Sequence, residues 1–198
     1  GSLGSGLTEV VSVLKMPIVW LISIVVLAAY SAYWGTYRFT SYSTDIFSLS
    51  VVVAGAISIG KMAMSPPSAL IAGFISDKIG IAKSVSILFV ILILSFLIFA
   101  FMPGLPLLLP FMITNIAIAS LAVFALRGIY FALLEEGGVP MTVTGTATGF
   151  ISMIGFTPDI FMPLIGGLLL DRLPTIEGYH AFFLIVAGIC TLGLVAAL

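Results

Sequence analysis

The chain has 198 residues, 61% hydrophobic and 8% charged, with seven Lys or Arg, eight Asp or Glu and a net charge of −1; its mean hydropathy is +1.32. Soluble domains carry about 25% charged residues, so composition excludes that class and points to an integral membrane protein. The near-neutral charge gives no basis for nucleic-acid binding. Single Cys and His residues, Cys190 and His180, exclude an intrachain disulfide, a thiol metal site and a His cluster, and no cofactor is expected.

At about 20 apolar residues per crossing of a ~30 Å hydrocarbon core, the chain accommodates about six spans. Residues 1–6, GSLGSG, read as a flexible linker or cloning scar, and 7–198 as an all-α bundle. No cleavable signal peptide is evident, and the abrupt start is that of a piece of a longer protein. The first span runs from about Met16 to Ser43, with Pro17 suited to a first helical turn and a later aromatic stretch of Tyr30, Tyr33, Trp34 and Tyr37. The second, about Leu49 to Ile75, contains Lys61 and the pair Pro66-Pro67, which should bend or break it. The third, Ser84 to Phe101, is almost wholly aliphatic and is expected at the periphery. Pro103 to Pro106 forms a turn. The fourth, about Leu107 to Leu134, holds Asn115, Ser120 and Arg127 before Glu135-Glu136. The fifth, about Val143 to Leu170, opens on small residues suited to close helix contact in lipid and carries Pro158, Asp159 and Pro163. The sixth, about Tyr179 to Leu198, again reads as peripheral.

Basic residues set the orientation. Lys15, Lys78 and Lys83 share one side of a six-span chain, against Arg38 and Arg172 on the other, which places the 73–80 turn and both chain ends in the cytoplasm. That turn is GFISDKIG, a Gly73-x-x-x-Asp77-Lys78-x-Gly80 pattern. Gly167-x-x-x-Asp171-Arg172 echoes it 94 residues later on the opposite membrane face. Two three-helix units of inverted topology would produce that spacing.

A charge at mid-bilayer costs about 2.5–3.5 kcal/mol on insertion scales and rarely faces lipid. Lys61 shares a helical face with Ser58, Ser65 and Ser68; it reads as an anion-contacting residue of a cavity, or as a structural or snorkelling lysine. Asp159 reads as a coupling group, as the counter-charge of Lys61 or Arg127, or as the cap of a helix break at Pro158. Arg127 suits bidentate recognition of carboxylate or phosphate, or a gate-stabilising pair with Glu135 or Glu136. Tyr30 and Tyr33 lie deep enough for a cavity, whereas Tyr37 and Arg38 fit an interfacial belt.

The 73–80 turn, set between two long apolar stretches, resembles the signature turn of the major facilitator superfamily, and the six spans resemble its C-terminal half, helices seven to twelve. Gly73, Asp77, Lys78 and Gly80 match the turn; the basic tail that usually follows is reduced to Ile81-Ala82-Lys83. The run Gly145 to Phe150 looks like the eleventh helix of the organophosphate-antiporter and nitrate-type branches, and Tyr30, Tyr33 and Trp34 fall where those branches line their cavity. The resemblance implies secondary transport by alternating access, with Tyr30, Tyr33, Lys61 and Arg127 at the substrate, Asp159 as coupling or charge-pair residue, and Gly73, Asp77, Lys78 and Gly80 as a conformational gate. The three cations Lys61, Arg127 and Arg38 suggest a small anionic solute. Because the family has about twelve helices, the expected partner is an N-terminal six-helix half or, alternatively, a second copy of this chain. An intramembrane enzyme lacks its residues: there is no Ser/His dyad, metal cluster or mid-span acid pair.

Overall fold

The computed structural model describes residues 2–198. Its elements are α1 (Ser2–Leu14), α2 (Pro17–Asp45), α3 (Val51–Ala63), α4 (Ser65–Ile79), α5 (Ile81–Phe101), α6 (Leu109–Ile129), α7 (Leu133–Glu136), α8 (Thr144–Gly155), α9 (Pro158–Arg172) and α10 (Thr175–Ala197), with short 3₁₀ turns before and after α6 and before α8. Five runs are long and apolar enough to cross a membrane: 17–45, 81–101, 106–136, 141–172 and 175–197. The described chain is all-helical, as a multi-pass membrane protein requires.

The expected second span is divided. α3 and α4 contribute 13 and 15 residues on either side of Met64. Pro66 and Pro67 fall in the first turn of α4, where amides have no partner within the helix, so the prolines cost no hydrogen bond. The same device divides the fifth span. α8 stops at Gly155, and α9 restarts at Pro158 after Phe156-Thr157.

Two expectations are corrected. Residues read as a linker are helical from Ser2 onward within α1, while Gly1 lies outside the described residues. Thr146 donates a hydrogen bond to the Glu9 carboxylate, and the Trp20 indole donates to the Leu14 carbonyl at 2.9 Å, which tie α1 to α8 and to the start of α2. The third span is also not simply peripheral. α5 packs closely on α10 and α6, and its Ser95 hydroxyl donates to Asn115 Oδ1 at 2.7 Å while Asn115 Nδ2 donates back to the Ser95 carbonyl at 3.0 Å. A serine in an aliphatic run gives no sign that its partner waits 20 residues ahead.

Packing is reciprocal. α2 lies against α8 and α10, α6 lies against α4 and α5, and α5 meets α10. Between α2, α5 and α10, the rings of Phe39, Phe96, Phe99 and Phe183 form a buried cluster, with Phe39–Phe99 centroids 4.8 Å apart and Phe99–Phe183 centroids 5.1 Å apart. Such pairs contribute about 0.5–1.5 kcal/mol each beyond area burial. Further along, a Cβ at Gly193 of α10 would lie 2.5 Å from the Ala28 Cβ and 2.6 Å from the Phe89 ring. In lipid, close packing of this kind replaces the hydrophobic drive available in water.

Candidate functional site

One face of α2 organises the site. Tyr30, Tyr33 and Tyr37 recur at intervals of three and four, so they stack along one side of the helix over about 10 Å. The Tyr30 and Tyr33 rings are 5.7 Å apart, and the Tyr33 and Tyr37 hydroxyls are hydrogen-bonded at 3.0 Å. Trp34 stands beside them, its ring 5.1 Å from that of Tyr37. Three other elements each deliver one charge to this stripe.

Arg127, from the last turn of α6, lays its guanidinium over Tyr33 at 4.0 Å and reaches Tyr30 at 5.8 Å. Its Nε is buried without a hydrogen-bond partner. Lys61, from the last turn of α3, is 7% exposed. Its ammonium donates to the Thr36 carbonyl at 3.1 Å and the Thr36 hydroxyl at 3.4 Å, and lies 5.0 Å from the centroid of Tyr37. Among the described residues neither cation forms a salt bridge. Asp159, in the first turn of α9, accepts hydrogen bonds from the Tyr30 hydroxyl at 3.0 Å and the Trp34 indole at 2.9 Å.

The breaks explain why charges can occupy these depths. Stopping α3 near Lys61 places a cation at the negative end of a helix, and starting α9 at Pro158 places Asp159 at a positive end, where the Asp159 and Ile160 amides donate to the Phe156 and Thr157 carbonyls. Each arrangement contributes about 0.3–1 kcal/mol. Asp159 therefore reaches across to α2 instead of pairing with Lys61 or Arg127, and its carboxylate does not cap its own helix.

The expected polar stripe through Lys61 does not persist. The break at Met64 separates Lys61 from Ser65 and Ser68, and the Ser68 hydroxyl donates to the Met64 carbonyl at 2.5 Å. Tyr37, expected in an interfacial belt, belongs to the site through Lys61 and Tyr33. The spacing of four from Tyr33 carried that information. Arg38 lies apart from the stripe, its guanidinium 5.8 Å from the Phe182 ring of α10.

At the 73–80 turn, Gly80 ends α4 and begins α5 with φ of +93°, a backbone that a side chain strains. Asp77 and Lys78 are exposed. The acid that ties helix ends together here is Glu136 of α7. Its two carboxylate oxygens accept from the Ile81 and Ala82 amides at 2.5 and 2.9 Å, and so cap α5. Nothing in the sequence linked positions 55 residues apart, and a pair with Glu135 or Glu136 was only one of the two readings open for Arg127. Glu136→Ala removes both bonds and is expected to lower thermal stability in detergent by about 1–2 kcal/mol. Glu136→Gln, which keeps an acceptor, loses less. Equal melting of all three proteins would show that the cap contributes nothing.

Two curated proteins are similar to this chain. Inner membrane protein YqcE of Escherichia coli (strain K12) is 31% identical over 205 residues, covering 96% of this chain and 45% of the relative. Inner membrane protein YihN of the same organism is 31% identical over 185 residues, covering 91% of this chain and 44% of the relative. The chain spans about half the length of the curated relatives it matches. No protein-family profile matches it, and no solved structure does.

Proposed function

We propose that this chain is one six-helix half of a secondary transporter of the major facilitator type, resident in the inner membrane, and that it moves a small anionic solute by alternating access. The observation that carries the reading is the stripe on α2. Arg127 and Lys61 lie on stacked tyrosines, and among the described residues neither forms a salt bridge. Lys61 is buried and Arg127 half-buried; charges so withdrawn from water are ordinarily paired, and a solute carboxylate or phosphate would supply the counter-charge through charge-assisted bonds. Among the described residues Asp159 is the one acid hydrogen-bonded to the stripe's own side chains; as the coupling residue it links α9 to Tyr30 and Trp34 of α2.

Architecture supports the same reading. Counting α3–α4 as a sixth crossing gives two triplets, α2, α3–α4, α5 and α6, α8–α9, α10. The second member of each is broken, and the reciprocal packing of α2 and α6 fits an inverted repeat. Interrupted helices in corresponding positions are where transporters of this kind place their binding site. The rest of the protein belongs against the site face. Helices α8 and α9 form the least buried long span, 22% against 56% for α2, and Leu70 and Phe74 of α4 and Ile160 and Leu164 of α9 are exposed. In this reading Asp77 and Lys78 lie on the cytoplasmic side and meet the other half during the rocking motion.

Uptake of a panel of carboxylates, phosphates and inorganic anions into liposomes by the full-length protein tests the proposal. Lys61→Gln is expected to reduce uptake about tenfold, the loss of one charge-assisted interaction of about 1.5 kcal/mol. Transport of cations alone, or of no solute, would overturn the reading.

A further inference from the structure

Helices α4, α5 and α6 enclose an open groove of about 360 Å³ that none of the tyrosine-stripe residues lines. Its walls are aliphatic, with Ile71 and Ile75 from α4, Ile87 and Ile91 from α5, and Ala122 and Ala125 from α6. The two serines it contains are already satisfied. The Ser68 hydroxyl donates to the Met64 carbonyl and the Ser84 hydroxyl to the Gly80 carbonyl. A polar occupant would therefore find no partners, and water would find too few. A hydrocarbon chain recovers the dispersion contacts that an empty groove forfeits.

The end of the groove near the 73–80 turn is different. Lys83 is one turn before Ile87 on α5, and Lys78 is one turn after Ile75 on α4, so both follow the faces that line the groove. Both are exposed, and among the described residues neither has a hydrogen bond or salt bridge. Among the described residues the nearby acids form no direct ion pair with these lysines. Glu136 is held by the α5 amides, and Asp77 continues the separate face of Leu70 and Phe74. The result is an apolar slot with two free ammonium groups at its mouth.

We propose that this groove holds one acyl chain of an anionic phospholipid whose phosphate is bound by Lys78 and Lys83. The site requires only that the chain is embedded in a bilayer; Lys78 is shared with the gate proposed above, whereas Lys83 is not, so the Lys83 variant separates the two readings. Its occupant bridges the ends of α4 and α5, beside the point where Glu136 of α7 caps α5.

The test places full-length protein in vesicles of equal parts phosphatidylglycerol and phosphatidylcholine, with either lipid in turn carrying a photoreactive diazirine in its acyl chain. Labelled residues are then mapped by mass spectrometry. The phosphatidylglycerol probe is expected to label the groove residues of α4–α6 in excess of the phosphatidylcholine probe. Lys78→Gln and Lys83→Gln should each cut that excess about fivefold, as one lysine–anionic lipid contact implies. Labelling of Leu184 and Leu192 on the exposed face of α10 should not change. Ala122→Phe, which fills the groove, should abolish groove labelling by both probes; the two surface lysine variants keep the test decisive if that packing change prevents folding. Equal labelling by the two lipids, or an excess untouched in the double lysine variant, would overturn the proposal. So would a cross-link showing the groove occupied by a helix of the other half or of a second copy.

Discussion

Arg127→Ala is expected to lower anion uptake by about a hundredfold, and Arg127→Lys by about tenfold despite keeping the charge. The guanidinium plane lies 4.0 Å from the Tyr33 centroid with Nε unpaired, so it presents a flat fork that an ammonium cannot reproduce. Losing charge-assisted bonds of about 1.5–3 kcal/mol corresponds to roughly ten- to hundredfold in the specificity constant. The effect should appear in kcat/KM for the transported anion, with folding unchanged by size-exclusion chromatography. Undiminished uptake by both variants would remove Arg127 from the site.

Gly193→Leu is expected to abolish recovery of folded protein. Even the first carbon of a side chain there would lie 2.5 Å from Ala28 and 2.6 Å from Phe89, in a zone where α2, α5 and α10 converge. Overpacking costs about 1–3 kcal/mol where neighbours can shift and more where they cannot; here three helices would have to separate. Gly188→Leu is the control, since a Cβ at that position of the same helix meets nothing within 4 Å. Maleimide labelling of Cys190, buried on α10, reports the difference. It should be rapid in Gly193→Leu and slow in Gly188→Leu. Slow labelling in both would mean the helices tolerate the added bulk.

What the sequence disclosed follows from how locally each property is encoded. The Pro66-Pro67 break and the tyrosine spacing on α2 depend on neighbouring residues and are found as expected; of the six expected spans, five are long and apolar enough to cross a membrane, and the second is divided into α3 and α4, each too short to do so alone. The candidate site was recognisable as a set of unusual residues. Its wiring was not, because each link crosses the chain: Asp159 to Tyr30 over 129 residues, Lys61 to Thr36 over 25, Glu136 to Ile81 over 55. The serine stripe failed for a related reason. Face-sharing by spacing assumes a continuous helix, and the prolines that were correctly taken as breakers also ended that continuity at Met64. Ser95 and Asn115 went unpaired in the sequence because an isolated polar residue does not declare which neighbour will satisfy it.

The alternation of neighbours also governs assembly in time. α2 is made early, yet much of its buried surface is covered by α10, which is made last of the described helices. At synthesis rates of about 5–20 residues per second, Val25, Ala28 and Ala32 spend roughly 8–30 seconds against lipid or the insertion machinery before α10 emerges. During that interval the bundle is an open arc, and α10 acts as a closing stave.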